Sequence, residues 1–481
     1  MTSQLTGSPV AVTASPRRRA IGLALVLTVQ LMLILDMSVV NVALPKIRVD
    51  LGFSASTLSW VLSAYTLTFG GLLLLGGRLG DTLGRRRTFL AGLAVFTLGS
   101  LLGGLAASAP LLVAARALQG VGAAVAAPSV LALVTTSAQT PAARNRALAL
   151  FSAVSSAGGS IGLLLGGVLT GYASWRWSLF VNVPIGLAVL ALTRRFVSET
   201  APRPGRFDLP GAVTATLGSA ALVFAFVNAP DHGWGSVGTL GGFALAAVLL
   251  GAFVHLERST SSPVLDLGLL RDRARAGAVS VMALFVGAQF AFFFFAVQFM
   301  QGILGYGALR SGFAFLPLTL LIFATSRFTP GLVARLGVRP LVLVGLSMVA
   351  ASNLWLSGLD ATSGYALHLL PAMLLTGVGA GLTFMPLTVA MLGNVAPEQA
   401  GSASGLLQMG QQVGGSLGLA VLVTIFASHV DGGGLVQGLG VTFEAATGFL
   451  LAAAVLATVL LGTRRRPAPP HVRQAELEPA A

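Results

Sequence analysis

The chain has 481 residues, 55% of them hydrophobic and only 9% charged, with a mean hydropathy of +0.86. That inventory cannot cover a water-soluble surface, so composition places the chain in a bilayer as an all-α membrane protein. The net charge of +14 invites a nucleic-acid reading, but the arginines fall in alternate loops between apolar runs instead of on one soluble face.

Residues 1–16 are polar and read as a disordered tail. Arg17 to Arg19 then precede an apolar run that passes Asp36 and reaches Leu44. It is too long for the core of a cleaved signal and reads as a retained first helix. Further runs of about 20 apolar residues, each enough for a span, centre near Thr66, Phe96, Gly122, Ala157, Leu187, Leu217, Ala246, Leu284, Leu318, Ser347, Leu374, Gln412 and Ala453. Together they give about 14 transmembrane helices. Residues 464–481 are proline-rich and read as a second tail. Of the 29 basic residues, Lys46, Arg48, Arg176 and Arg310 fall on one side of this zigzag, Arg116 lies within a run, and the remaining 24 share the side of the amino terminus. The bias predicts a multi-pass protein of the cytoplasmic membrane with both termini cytoplasmic, and it accounts for the basicity without nucleic acid.

Catalytic and metal chemistry find little support. The chain has no cysteine and five histidines without ligand-like spacing, so no metal site is expected. Its one lysine, Lys46, rules out a phosphate-binding GxxxxGK[ST] loop, and no cofactor beyond a proton gradient is expected. GGSIG at 158 and GGSLG at 414 match the pattern of a serine nucleophile elbow. Both lie mid-span, where no strand-turn-helix is available. Gly158, Gly162 and Gly166 at four-residue spacing, with Gly167 beside them, instead make a smooth helix face for close packing.

Ionisable groups inside a span cost at least about 2.5 to 3.5 kcal/mol and mark functional positions by default. Two stand out. Asp36 lies about 12 Å from the far end of the first helix and Arg116 about 9 Å from the same side in the fourth, so the two share a level. Burial disfavours the charged carboxylate and the guanidinium favours it. A rearrangement that alters either influence makes Asp36 take up or release a proton. The alternative is a static ion pair joining two helices. Gln119, three residues from Arg116, shares its face. Asn41, Tyr65, Gln289, Gln298, Gln408 and Gln412 are further candidates for a substrate cavity. The last two could equally bond neighbouring helices, and Phe292 to Phe295 could offer aromatic surface or packing.

PGLVARLGVR at 330–339 echoes GRLGDTLGRR at 77–86, and the two GGSxG stretches repeat at a similar separation. The separation corresponds to eight spans, an even number. It predicts parallel repeats: a six-helix bundle over 17–195, a linker with two extra helices over 196–275, and a second bundle over 276–463. Parallel repeats of this kind belong to transporters with a site between the halves.

LDMSVVNVALP (35–45), GGRLGDTLGRRR (76–87), RALQG (116–120), GGSIGLLLGG (158–167), WRWSLFVNVPIG (175–186) and RFDLPG (206–211) together resemble the major facilitator superfamily, in particular its fourteen-span drug:proton antiporter branch. The resemblance implies two six-helix bundles plus two extra helices, alternating access, and proton-driven export of a small drug-like or antibiotic compound by a monomer. It also implies a gating loop in which Gly77 and Gly84 permit tight turns, Asp81 pairs across the bundle interface in the outward-open state, and Arg85 and Arg86 hold the inner edge. Two departures are visible. Leu163 stands where the family's helix-5 signature carries proline, and Ala334 stands where the first repeat has Asp81. An uptake permease or facilitator with the same fold remains the alternative, and a non-transporting membrane sensor would need an output domain that the short loops do not provide.

Overall fold

A computed structural model describes residues 16–136, 140–200, 208–260, 267–393 and 400–461. Residues 1–15 and 464–481, expected as tails, and the first part of RFDLPG lie outside the described residues. Those described are helices and short connections with no strand. This suits a bilayer, where a backbone group left unbonded to its own segment is costly.

The crossings run α1 (Pro16–Leu51), α2 (Trp60–Leu83), α3 (Arg85–Gly104), α4 (Ala109–Thr136), α5 (Pro141–Tyr172) and α6 (Asn182–Phe196). Two more, α7 (Leu209–His232) and α8 (Val237–Ser259), precede α9 (Arg273–Gly302), α10 (Leu316–Leu336), α11 (Val338–Ser357) and α12 (Leu370–Leu392). A final helical stretch, Ala400–Leu460, breaks at Gly434, whose φ of 75° leaves helical space; its limbs are α13 and α14. Among the described residues 12 helices are long and apolar enough to cross a membrane, and α2, which bends, makes 13. With the 32-residue α5 the crossings match the expected fourteen. The ends carrying Arg17 to Arg19, Arg85 to Arg87 and Arg194 to Arg195 form a basic end; the opposite end is called distal.

The repeat is visible in the packing. Gly84 between α2 and α3 has φ 98°, and Gly337 between α10 and α11 has φ 85°, so each hairpin turns on a glycine in the left-handed region that other residues resist. On α5, a Cβ at Gly158, Gly162 or Gly166 would lie 2.9 Å from Ile34, 2.6 Å from Ser38 or 2.6 Å from the Val39 carbonyl, all on α1. Gly414 and Gly418 of α13 bear in the same way on Ala283 and Gly287 of α9. The glycine face therefore brings helix backbones together, as small residues do in lipid.

Gly167 points elsewhere: a Cβ there would lie 2.8 Å from the carbonyl of Ala308, in the short helix Ala308–Ala314 that leads into α10. It joins the two halves at the distal end. Nearby, a Cβ at Gly312 would lie 2.6 Å from the Leu163 carbonyl, and Gln301 donates from Nε2 to the Val42 carbonyl at 3.0 Å. The distal end is thus shut. Further toward the basic end α10 buries only Thr329 beyond Leu318.

The gating loop departs from expectation at one glycine. Gly77 lies inside α2, whose helix runs through it with nothing nearer than Pro128 at 3.8 Å. One break, at Gly84, suffices for the turn. Asp81 pairs with Arg85 four residues on, inside the loop. Arg86 pairs with Glu199 at 3.6 Å, and Glu199 also accepts the backbone N–H of Arg86 at 2.9 Å and of Arg87 at 3.1 Å. A carboxylate thus satisfies the open N-terminus of α3, where helix N–H groups lack internal partners and the helix dipole favours negative charge.

Candidate functional site

Asp36 and Arg116 form a buried ion pair, with the Arg116 guanidinium fully enclosed and Asp36 1% exposed. Each carboxylate oxygen has its own partners. Oδ2 takes Arg116 Nη1, while Oδ1 accepts from Gln119 Nε2 at 3.0 Å and from Asn182 Nδ2 at 2.9 Å. Arg116 donates further to the Val61 carbonyl through Nε at 2.9 Å and to Gln119 Oε1 through Nη1 at 2.8 Å, and Gln119 Nε2 also reaches Ser100 Oγ at 2.7 Å. The guanidinium stacks 4.5 Å above the Tyr65 ring. Two polar atoms are left over, Arg116 Nη2 and Tyr65 Oη, which have no partner. A buried pair offsets its desolvation only when such hydrogen bonds complete it. The leftover donors fit a site that awaits a further acceptor.

Helices α1, α4 and α6 position this network, with Ser100 from α3. Asn182 and Ser100 were not singled out from the sequence. The signal available for Asn182 was an asparagine at the start of an otherwise apolar run, inside the WRWSLFVNVPIG stretch.

Among the described residues the corresponding positions of the second half hold no charge. If α9 is laid on α1 by their glycine contacts, Ile34 matches Ala283, which puts Phe285 where Asp36 stands. On α4 and α12, Gly122 and Gly379 pack on matching glycine carbonyls, Gly92 and Gly345. That puts Met373 at the place of Arg116. Phe285 and Met373 are both buried.

A cavity of about 260 Å³ adjoins the pair between the two halves. Its wall includes Asn41, Tyr65, Thr66 and Arg116 from the first half and Phe290, Phe293 and Thr319 from the second. Asn41 Oδ1 has no partner. Of the other expected cavity residues, Gln119 sits behind the wall in the network. Gln298 lines a separate distal vestibule of about 900 Å³ together with Lys46, Arg48, Asp50, Trp175 and Tyr306. It lies more than two helical turns beyond Gln289 along α9, which takes it out of the central level. Gln289 is 8% exposed, with Oε1 unpartnered, and lines neither cavity. Gln412 packs against Gly70 of α2 and Gln408 is exposed. Phe292, Phe294 and Phe295 are core residues, so Phe293 alone of the expected aromatic run faces the cavity.

Comparison with known proteins agrees with this architecture. The family model described as Major Facilitator Superfamily matches residues 26–419. The chain is 41% identical to puromycin resistance protein pur8 of Streptomyces alboniger, covering 93% of this chain and 92% of that protein. It is also 41% identical to cephamycin export protein CmcT of Amycolatopsis lactamdurans, covering 98% of each, and 34% identical to the lincomycin resistance protein of Streptomyces lincolnensis, covering 96% of this chain and 95% of that one. Among solved structures, the POT family transporter PepTSo superposes with a TM-score of 0.66 at 15% identity, over 93% of this chain and 98% of that one; the likeness is one of fold. Fourteen crossings, a duplicated packing pattern and a cavity between the halves, together with a family match over most of the chain, lead to one conclusion: the protein belongs to the Major Facilitator Superfamily and is a membrane transporter, not an enzyme.

Proposed function

We propose that this protein exports a small organic, drug-like or antibiotic compound across the cytoplasmic membrane in exchange for protons, working as a monomer with its basic end and both termini in the cytoplasm. One observation carries the coupling: the buried Asp36–Arg116 ion pair of the first half adjoins the cavity between the halves. Names of relatives such as the puromycin resistance and cephamycin export proteins support the substrate class.

With the distal end shut, the Asp36 carboxyl is held by Arg116, Gln119 and Asn182. A proton on Asp36 cancels half of the pair and leaves Arg116 buried without its counter-charge, a state that costs about 3 to 5 kcal/mol when a partner is removed. That cost drives the network toward an arrangement in which the guanidinium finds another acceptor, and proton binding thereby biases which end opens. The bundles, taken as 17–195 and 276–463, rock about the cavity with 196–275 as the linker. Asp81 and Arg85 form a breakable contact at the cytoplasmic edge. Asn41 and Tyr65 present hydrogen-bonding groups to the substrate.

Everted membrane vesicles with an acid lumen test this reading, with puromycin, lincomycin and a cephamycin as probes. Accumulation of a probe in the lumen, abolished by Asp36→Asn at equal protein abundance, is the expected result. Accumulation only under the reverse gradient would establish uptake, and full gradient-driven transport by Asp36→Asn would remove the carboxylate from the coupling step.

A further inference from the structure

The two halves meet along two seams, and the structure treats them differently. Along the first, α2 faces α13, and α7 lies over the joint. Leu67 of α2, Val223 and Val227 of α7 and Ala420 of α13 form one buried apolar cluster. Thr424 of α13 donates to the Phe226 carbonyl of α7 at 2.7 Å, and Thr216 of α7 fills the space above Gly71 of α2. At the distal end Ser54 and Ser56 donate to Asp231, next to the end of α7. A molecule in the bilayer meets α7 there, not a gap.

Along the second seam α5 faces α10, and among the described residues no extra helix lies over it. The close approaches between the halves on this side, Gly167 on Ala308 and Gly312 on Leu163, lie toward the distal end. Further toward the basic end α10 exposes Leu320 (60%), Phe323 (50%) and Phe328 (69%). Gly159, Leu163 and Thr319 on this side belong to the wall of the central cavity, so the cavity continues into the seam. On α10 the exposed side chains along the way are apolar as far as the exposed Arg327, where a long cationic side chain can reach the headgroup level.

We propose that α7 seals one seam so that the other, between α5 and α10, is a lateral doorway: an amphiphile dissolved in the cytoplasmic leaflet slides its apolar body between these helices into the cavity while its polar head stays beside Arg327. The assignment rests on the export reading for direction and on the basic end being cytoplasmic for the leaflet. It gives the first of the two extra helices a task, since without α7 both seams would admit lipid.

The absence of native cysteine permits a direct test. Bimane is attached at Thr319→Cys, at the cavity side of the open seam, and separately at Leu417→Cys, beneath α7, and the protein is reconstituted with phosphatidylcholine brominated along its acyl chains. Bromine quenches on contact, so strong quenching at 319 and little at 417 is expected. Quenching at both or at neither overturns the doorway. This measurement needs no transport, so wild-type vesicles that fail to move a dye would count against export alone. In a second arm Leu320→Arg places a charge in the doorway, while Leu354→Arg places one on a lipid-exposed position of α11 (59% exposed). Nile red transport into everted vesicles should fall about tenfold for the first and stay within about twofold for the second; equal loss in both would also overturn the doorway.

Discussion

A disulfide across the distal contact would stop the transporter in one state. A Cβ placed at Gly171 of α5 would lie 3.9 Å from the Cβ of Leu309, in the short helix before α10. Disulfide-bonded cysteines have Cβ atoms about 3.5 to 4.5 Å apart, so Gly171→Cys with Leu309→Cys meets the geometry without backbone movement. Nothing else lies closer to that added atom, and both changes fall in a chain without other cysteines. The two positions belong to different halves, so any opening of the distal end that separates them beyond disulfide reach is blocked by the bond. Under oxidation, the fraction cross-linked, read on a gel after proteolysis between the halves, should equal the fraction of transport lost, measured with a probe that the unmodified protein moves. Reductant should restore both, and each single variant should be unaffected. Complete cross-linking with undiminished transport would refute the reasoning, because it would mean that the contact never opens during the cycle.

Other positions give independent tests. Glu199→Gln removes the charge that satisfies the start of α3, and should cost about 1 kcal/mol and speed amide exchange at Arg86 and Arg87, as seen by mass spectrometry. Gly162→Leu forces a side chain into Ser38 and the α1 backbone; thermal unfolding in detergent should show a loss of about 1 to 3 kcal/mol, whereas Gly159→Ala, which meets nothing within 4 Å, should leave stability unchanged. In the distal loop before α12, hydrogen bonds from Thr362 and Ser363 hold the Asp360 carboxyl below the usual carboxylate range. Because the folded value is the lower one, the order these bonds lend the loop is present above about pH 4 and is lost as pH falls through that lower value. Amide exchange at Thr362 should accelerate only on that acid side.

How much was legible in the sequence depended on whether a contact follows from position along a helix. Asp36 and Arg116 could be brought to one level from the rise per residue alone, and the pair formed. Gly158, Gly162 and Gly166 follow from helical periodicity. Asn182 could not be assigned to Asp36, since which helix lies beside which is a matter of tertiary packing. Glu199 was hidden for the same reason, 112 residues from the backbone N–H of Arg87 that it accepts. The glutamines scattered because a span that is apolar all round carries no stripe to say which side faces inward. Gln408, Gln412 and Gln289 therefore met three different surroundings, and Gln298 reached the vestibule. The turn at Gly77 came from the family resemblance, whereas in this chain the α2 helix runs through that glycine, which a helix in lipid tolerates.

The unequal division of charge between the halves separates two properties that a symmetric transporter would have to change together. Substitutions at Phe290, Phe293 or Thr319 reshape the wall contributed by the second half without touching a hydrogen-bond partner of the Asp36–Arg116 pair. A chain built this way can change the shape of its cavity while the buried ion pair keeps its surroundings.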